Sequence, residues 1–416
     1  MMKLTAENIK TYLANTPQIT FEITECCNLS CLYCGYGKLY NNKGKRHNRM
    51  MPIENAIAFL DYIKKLWDAG YDNRGEGTLV ISFYGGEPLL NMSFIKAVIS
   101  YIEENLQGYR KHFAYTMTTN ATLLPKYMDY LVSKSVHLLI SLDGDEKGSS
   151  CRVYHNGKQA FPAITKAIDE LREKYPRFFE ENVQFNSVLT QKTSVKAITE
   201  YIWQTYGKKP SVSEVNPDGV NLQYEKDFKQ IYLEKWKSVL EFEQGLDLGK
   251  IKFEDHPRFE QIARYVLKHS PYVYQDYNDL LFADRTKEKE FPTGTCLPFT
   301  KKVFVNVTGR IMPCEMISYR YGYPAIKQGK VDVDFQLIAD SYNSYFERVA
   351  KVCRCCRDSR GCLCCMFNNG MMDSSKGKCK YFMDSKTEKM VKSEVYSFLL
   401  QYPESYSYIM SSFEVV

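Results

Sequence analysis

The chain has 416 residues, of which 44% are hydrophobic and 25% charged, with a formal net charge of +6. This composition is typical of a globular protein, and the length allows two or three domains, or one large barrel with an appended domain. The small charge does not favour a nucleic-acid partner, and the absence of a signal-like or membrane-spanning apolar run predicts a cytoplasmic protein without a membrane partner.

Strands and helices alternate through the first half of the chain. Short β-branched or alternating apolar runs predict strands at 19–23, 79–84, 113–119, 136–142 and 183–189. Helical spacing of apolar residues predicts helices at 52–67, 92–105, 124–134, 161–174 and 194–206. This order gives parallel strands joined by right-handed crossovers, so we expect an α/β fold. Five or six units are too few for a complete eightfold barrel, and either an open doubly wound sheet or a partial barrel fits the pattern.

The second half of the chain has a different texture. Helices are predicted at 225–244 and 255–269, a β-hairpin at 303–314 and a closing helix at 386–401. Cysteines, glycines and short turns dominate after residue 290. Because such a segment is poor in core-forming residues, it needs covalent crosslinks or bound metal to fold. We place a domain boundary near residue 285. The predicted organisation is an N-terminal segment over 1–17, a core over 18–210, a helical bridge over 211–285, a cysteine-rich domain over 286–385 and a C-terminal helix and tail over 386–416.

A cysteine triplet follows the first strand, with Cys27, Cys31 and Cys34 in a C-x3-C-x2-C pattern. In a reducing compartment, clustered cysteines indicate metal binding or catalysis rather than disulfides. Three thiolates on a short loop can hold three irons of a cubane cluster and leave the fourth iron open, as in catalytic metal sites. A zinc site or three buried cysteines is the alternative.

The triplet, with the aromatic Tyr33 before its last cysteine, resembles that of the radical S-adenosylmethionine (radical SAM) superfamily. Gly85-Gly86-Glu87-Pro88 after the second strand, Thr119-Asn120 after the third and Ser141-Leu142-Asp143-Gly144 after the fourth match further motifs of that family. The resemblance implies a partial (β/α)6 TIM-like barrel. It also implies that S-adenosylmethionine (SAM), bound to the open iron of a [4Fe-4S] cluster, is cleaved reductively to a 5′-deoxyadenosyl radical.

The same resemblance assigns roles to single residues. Ser141 would touch the ribose of SAM and Arg152 would pair with its carboxylate; a helix cap and a surface ion pair are the alternatives. The two glycines would let the backbone approach the ligand, and the carboxylate of Glu87 can accept bonds from an ammonium group. Val188 or Leu189, at the end of the fifth strand, would line the adenine or simply pack. The expected cofactor-binding residues are Tyr33, Gly85, Gly86, Glu87, Asn120, Ser141, Arg152 and Val188.

The later cysteines resemble the SPASM extension of radical SAM enzymes. By this resemblance, two auxiliary [4Fe-4S] clusters bring the total to three. The first auxiliary cluster would use Cys296, Cys314 and Cys365, and the second would use Cys353, Cys356, Cys362 and Cys379. One spacing in the tight group is x2 where the family has x3, which leaves Cys364 as an alternative to Cys365. Cys355 is an additional thiol, and a pair of zinc ribbons is the alternative for the whole set.

Together these resemblances imply a radical SAM peptide maturase of the Bacteroidales type. Its substrate would be a ribosomally made precursor peptide that receives a crosslink or a related modification, and its electron donor would be a flavodoxin or ferredoxin. An anaerobic sulfatase-maturating enzyme that forms formylglycine is the second hypothesis, and a non-catalytic metal-binding scaffold is the third. A basic loop after the triplet either attracts an acidic leader segment or is merely solvated; its residues are Lys38, Lys43, Lys45, Arg46 and Arg49.

Overall fold

The structure is a computed structural model of the chain. It describes residues 3–411 apart from 42–43, 45, 74, 76, 110–111, 245–251, 270–294, 359–361, 363 and 373–378. The predicted boundary near residue 285 lies outside the described residues. The described chain divides into two compact units. The sheet unit comprises Thr5–Ser238 and Cys296–Ile338, and the helical unit comprises the described parts of Met1–Leu4, Val239–Thr295 and Ala339–Val416.

Six parallel strands form the centre of the sheet unit. They lie side by side in chain order, each paired with the next. A doubly wound sheet reverses its strand order at a switch point, so this sequential order decides between the two predicted architectures, and the six-stranded partial barrel is confirmed. The strands are β1 (Gln18–Thr24), β2 (Thr78–Gly85), β3 (His112–Thr119), β4 (His137–Ser141), β5 (Val183–Leu189) and β6 (Ser211–Glu214).

Helices connect the strands as the sequence predicts. The five predicted helices are present with ends that differ by at most one residue, and they correspond to α2, α3, α4, α5 and α7. Two further helices were not predicted. The first, α1, begins with a capping box in which asparagine replaces the usual Glu or Gln, and α6 has only seven residues. The helices are α1 (Ala6–Ala14), α2 (Ile53–Leu66), α3 (Met92–Asn105), α4 (Leu124–Ser133), α5 (Phe161–Lys174), α6 (Pro176–Asn182) and α7 (Val195–Tyr206).

A β-hairpin extends this sheet. It forms from β7 (Val303–Val305) and β8 (Arg310–Met312), which confirms the predicted hairpin. At its turn Gly309 has φ +78°, and a Cβ there would lie 2.0 Å from the carbonyl oxygen of Ile326. β7 also pairs in parallel with β1, which the sequence did not predict. The segment Cys296–Ile338 therefore belongs to the sheet unit, whereas the sequence grouped it with the later cysteines in 286–385. Three short strands follow, β9 (Tyr323–Pro324), β10 (Ile326–Lys327) and β11 (Lys330–Val331).

The remaining elements are mostly helical. The single helix predicted over 225–244 is two helices, and a 21-residue helix beginning at Phe335 was missed. Its buried Tyr342, Phe346 and Val349 repeat at helical spacing, a signal that the cysteine pattern obscured. No helix within the described ranges is long and apolar enough to cross a membrane. These helices are α8 (Glu225–Ile231), α9 (Lys235–Gln244), α10 (Phe259–His269), α11 (Phe335–Cys355), α12 (Ser385–Gln401) and α13 (Glu404–Ser411).

The core of the sheet unit lies between the sheet and its helices. Phe21 of β1 is fully buried, and its ring centroid lies 6.3 Å from that of Phe59 on α2 and 6.1 Å from that of Phe94 on α3. Because side chains alternate along a strand, Thr20 and Glu22 point to the opposite face of the sheet. That face carries the polar residues discussed below.

We expect Phe21→Ala to lower the free energy of unfolding by about 3–5 kcal/mol, since it removes a buried ring and leaves a cavity. Anaerobic urea denaturation measures this. Leu222→Ala is the matched control, because Leu222 is 83% exposed, and its effect should stay within about 0.5 kcal/mol. Equal effects of the two substitutions would contradict the packing described here.

Candidate active site

The predicted site residues follow the carboxyl ends of neighbouring strands. The cysteine triplet follows β1, Gly86 and Glu87 follow β2, Asn120 follows β3 and Asp143 follows β4. Because the strands are parallel and lie in chain order, these ends share one edge of the sheet. The structure therefore brings together side chains that are more than a hundred residues apart in sequence.

The triplet loop is held by the segment that follows β4. The N–H of Ser30 donates to the carbonyl oxygen of Val153 at 2.7 Å, and the N–H of Leu32 donates to that of Cys151 at 3.0 Å. The ring of His155 also lies 2.8 Å from the carbonyl oxygen of Cys27. The sequence predicted the loop but not these backbone partners. They lie in a four-residue 3-10 helix, Gly148–Cys151, and in an isolated β-bridge, both too short to give a periodic signal.

The three thiols of the triplet lie near one another. Burial raises the pKa of Cys27 to about 11 and that of Cys31 to about 12, and in both cases the nearby Cys34 raises it further. Such thiols stay protonated at neutral pH until a metal displaces their protons. No three Cys, His, Asp or Glu side chains of the described residues lie close enough together to hold a single metal ion. An all-sulfur set of three fits a cubane cluster, which contacts its ligands through separate irons and spaces them more widely.

The glycine pair at the end of β2 lies in close contact with the backbone of Thr24 and Cys26. A Cβ on Gly85 would lie 2.2 Å from the carbonyl oxygen of Thr24, and one on Gly86 would lie 2.0 Å from that of Cys26. Two hydrogen bonds close this contact, from the N–H of Gly86 to Thr24 at 2.9 Å and from the N–H of Glu87 to Cys26 at 2.8 Å. The glycines let the end of β2 touch the base of the triplet loop, a partner that the sequence could not specify.

Glu87 is a fully buried carboxylate that joins the ends of β2 and β3. It accepts bonds from the hydroxyl of Thr119 at 2.8 Å, from the N–H of Asn120 at 2.8 Å and from the N–H of Leu89 at 3.1 Å. Burial raises the pKa of Glu87 to about 7, and these three donors partly offset the rise. Its predicted contact with an ammonium group stays a prediction.

Asn120 reaches back to the triplet. Its amide nitrogen lies 3.9 Å from the sulfur of Cys27 and donates to the side-chain oxygen of Asn28 at 2.9 Å. Its own side-chain oxygen accepts from the N–H of Thr122 at 3.0 Å. Asn28 was not among the predicted site residues, although its position directly after Cys27 was a signal that could have been used.

Arg152 is buried and paired inside the protein. Its Nε donates to Asp143 Oδ2 at 2.9 Å and its Nη2 donates to Asp143 Oδ1 at 2.7 Å. The hydroxyl of Tyr33 also donates to Asp143, as does the N–H of Val188 at 2.8 Å. Ser141, at the end of β4, is half-buried. The sequence analysis placed Tyr33, Ser141, Arg152 and Val188 at the site. It did not include Asp143, the carboxylate that accepts bonds from Tyr33, Arg152 and Val188.

The described part of the basic loop is paired with acidic residues. Arg46 bonds to Glu22 at 2.8 Å and Arg49 to Glu25 at 2.6 Å. Lys38 bonds to an aspartate of α8 at 2.9 Å. Burial acts to raise the pKa of Glu25, but bonds from the side chain of Arg49 and from two backbone N–H groups lower it to about 2. These pairs do not favour capture of an acidic leader by the described part of the loop. The other two lysines, Lys43 and Lys45, lie outside the described residues.

Cysteines of the second predicted auxiliary set lie near one another in the helical unit. Cys353 is in the last turn of α11, and the N–H of Cys356 donates to its carbonyl oxygen at 3.1 Å. Burial raises the pKa of Cys379, and the nearby Cys362 and Cys356 raise it further. The sulfur of Cys356 accepts from the N–H of Met383 at 3.3 Å. Which cysteines hold a cluster stays a prediction.

The other predicted auxiliary ligands lie in both units. In the sheet unit Cys296 is exposed, and burial raises the pKa of Cys314, which follows β8, to about 12. In the helical unit Cys364 and Cys365 are half-buried. The hydroxyl of Thr295 donates to the carbonyl oxygen of Cys364 at 3.4 Å. The described geometry does not decide between Cys364 and Cys365 as a ligand.

Comparison with known proteins agrees with this geometry. Residues 21–190, which carry the triplet, the glycine pair and the Asp143 cluster, match the radical SAM superfamily. The chain contains a radical SAM domain. The radical SAM cyclopropyl synthase TigE of Paramaledivibacter caminithermalis is 28% identical over 242 residues, which cover 56% of this chain and 48% of that protein. An uncharacterised protein of Methanocaldococcus jannaschii is 33% identical over 158 residues, or 38% of this chain and 47% of that protein.

Two further matches cover a larger share of this chain. A cysteine-type anaerobic sulfatase-maturating enzyme of Clostridium perfringens is 23% identical over 319 residues, which cover 70% of this chain and 71% of that protein. Native anSMEcpe with bound AdoMet and Kp18Cys peptide, a solved structure, has a TM-score of 0.62 at 17% identity, covering 94% of this chain and 98% of that one. The structural likeness shows the fold. The chain spans about half the length of the cyclopropyl synthase and of the M. jannaschii protein.

We expect Gly86→Ala to prevent the triplet from holding its full iron content, because the added Cβ would lie 2.0 Å from the carbonyl oxygen of Cys26. Iron and sulfide are measured after anaerobic reconstitution. Gly108→Ala is the matched control, since nothing lies within 4 Å of a Cβ at that position. If both variants bind iron like the wild type, the close approach does not position the loop.

Proposed function

We propose that this chain is a radical SAM enzyme that modifies a peptide or protein. The observation that carries the proposal is the convergence of Cys27, Cys31 and Cys34 beside the ends of β2 and β3, within a domain that matches the radical SAM superfamily. Two relatives support the substrate class, since one is named as a cyclopropyl synthase and the other as a sulfatase-maturating enzyme.

In this proposal the triplet would hold a [4Fe-4S] cluster with SAM on its open iron, and together these groups supply a carbon radical that abstracts hydrogen from the substrate. The chain itself holds the ligands in place. The glycine pair sets the distance between the triplet loop and β2, and Asn120 orients Cys27. Glu87 fixes the end of β3 relative to that of β2.

The polarity of one face of the sheet supports this face as the place for cofactor and substrate. A complete eightfold barrel fills its interior with branched apolar side chains. Here the face turned away from the helices carries small polar side chains that are half-buried. They include Ser82 opposite Thr116, and Ser141 opposite Asn186. Hydroxyl and amide groups on this face could bond to the ribose of SAM or to the backbone of a peptide.

We further propose that the later cysteines hold two auxiliary [4Fe-4S] clusters, which brings the total to three. The mutual proximity of Cys356, Cys362 and Cys379 supports the second of them. Such clusters would accept an electron or engage the substrate. Reduction of the catalytic cluster requires an external electron donor, for which a flavodoxin or ferredoxin is the expected type.

Two substrates fit this proposal. One is a ribosomally made precursor peptide that receives a crosslink or related modification. The other is a sulfatase, and the coverage of the C. perfringens enzyme over 71% of its length favours that candidate. Anaerobic incubation with SAM, reductant and either a Cys-containing sulfatase peptide or a candidate precursor peptide separates them by mass spectrometry. Formylglycine supports the sulfatase maturase, and a crosslink or other loss of hydrogen in the precursor supports the peptide maturase.

We expect the triple variant Cys27→Ala, Cys31→Ala, Cys34→Ala to abolish reductive cleavage of SAM, because no thiolate remains to hold the catalytic cluster. The measurement is anaerobic formation of 5′-deoxyadenosine with dithionite as reductant. Cys355→Ala is the control, since this exposed cysteine is outside all three predicted ligand sets. Continued 5′-deoxyadenosine formation in the triple variant would refute the assignment, as would its absence in the wild type.

We expect about twelve irons and twelve sulfides per reconstituted chain if three cubane clusters are present. The double variant Cys356→Ala, Cys379→Ala should lose about four of each, because it removes two ligands of one auxiliary cluster. Elemental analysis measures iron, sulfide and zinc together. About four irons accompanied by stoichiometric zinc would instead identify the later cysteines as zinc ribbons.

A further inference from the structure

A single buried carboxylate connects the arginine, the triplet and β5. We propose that Asp143 is a positioning residue that holds Arg152 and the Cys31–Cys34 half of the triplet in the pose that binds the cofactor. This inference rests on the proposed function, because the pose matters only if the triplet holds a cluster that binds SAM.

The contacts of Asp143 occupy its whole acceptor capacity. Oδ1 accepts from Arg152 Nη2 at 2.7 Å and from the N–H of Val188 at 2.8 Å. Oδ2 accepts from Arg152 Nε at 2.9 Å and from the hydroxyl of Tyr33. An ionised carboxylate offers about four lone-pair sites, and four donors fill them. Asp143 is also fully buried, so its influence on a ligand passes through the residues that it holds.

Asp143 compensates the positive charge of Arg152 and sets the orientation of its guanidinium group. The side chain is 6% exposed, and a buried guanidinium without a partner is strongly destabilising. Because the guanidinium is planar, fixing Nε and Nη2 on Asp143 also fixes the direction of Nη1. A carboxylate bound to Arg152 would therefore meet a donor whose orientation Asp143 has already set.

Tyr33 links Asp143 to the triplet. It lies between Cys31 and Cys34, it is buried, and its ring centroid lies 5.5 Å from the guanidinium carbon of Arg152. Its hydroxyl is bonded to Asp143, while the neighbouring N–H of Leu32 is bonded to the carbonyl oxygen of Cys151. The Cys31–Cys34 half of the loop is thus held by a backbone hydrogen bond and by the hydroxyl of Tyr33. Phenylalanine at position 33 would keep the ring and remove only the second hold.

The test measures SAM affinity in anaerobically reconstituted protein by equilibrium dialysis, together with the electron paramagnetic resonance spectrum of the reduced cluster with and without SAM. We expect Asp143→Asn to weaken SAM binding about 10- to 100-fold, the range for losing one charge-assisted bond. Tyr33→Phe also loses a bond to this carboxylate, but it leaves the Asp143–Arg152 pair intact, so we expect a smaller weakening of about 3- to 10-fold. The iron content of Tyr33→Phe should equal that of the wild type, and its SAM-induced spectral change should be reduced.

A matched control exists on the helices of the same unit. The hydroxyl of Tyr101 on α3 donates to Asp61 on α2, a tyrosine–carboxylate pair of the same chemistry away from the triplet. Tyr101→Phe and Asp61→Asn should leave SAM affinity within about twofold of the wild type, since each removes a bond that contributes to stability and contacts no predicted cofactor residue. This separates an effect on the cofactor pose from a loss of stability.

Coupling between the substitutions completes the test. Tyr33→Phe combined with Arg152→Lys should weaken SAM binding no more than Arg152→Lys alone, because both act through one pose. If Asp143→Asn fails to bind iron, Tyr33→Phe and this double variant decide the question. Wild-type affinity in Tyr33→Phe, or additive losses in the double variant, would overturn the inference. A wild-type protein that binds no SAM would instead overturn the proposed function.

Discussion

The contact between the backbone ends of β1 and β2 is the constraint on which the site depends. Two hydrogen bonds, to the carbonyl oxygens of Thr24 and Cys26, draw the residues after β2 against the base of the triplet loop. Only glycine fits at Gly85 and Gly86, where a Cβ would lie about 2 Å from a carbonyl oxygen of the other strand end. A loop fixed in this way can present three thiols in one orientation before any metal binds.

Two buried carboxylates, Glu87 and Asp143, connect further strand ends along the same edge of the sheet. They differ in how their negative charge is stabilised. Glu87 is satisfied by uncharged donors, and burial raises its pKa to about 7. Asp143 is instead bonded to the guanidinium of Arg152, so its charge is compensated in place. The first carboxylate joins β2 to β3, and the second joins the triplet to β5. Together, with the strands that carry them, they connect the carboxyl ends of β1 to β5.

The sheet combines a polar face with fewer strands than a complete barrel has. Its six parallel strands are two fewer than the eight that close a complete barrel around apolar side chains. Glu22 lies on this polar face, where it is fully buried and accepts bonds from Arg46 and from Tyr319, each at 2.8 Å. Arg46, which the sequence analysis placed in the basic loop, is therefore bonded to β1 inside the sheet unit.

The amino-acid sequence by itself determined the alternation of the first five strands with α2, α3, α4, α5 and α7, the triplet and the position of the glycine pair. These features are local, because the apolar period and the cysteine spacing are read within a few residues. Only the tertiary structure decided what the motifs contact. The pairing of β1 with β7 and the carboxylate shared by Tyr33 and Arg152 join segments that are far apart in the chain. No local pattern encodes such partners, since they are chosen by packing and by the need to pair buried charge.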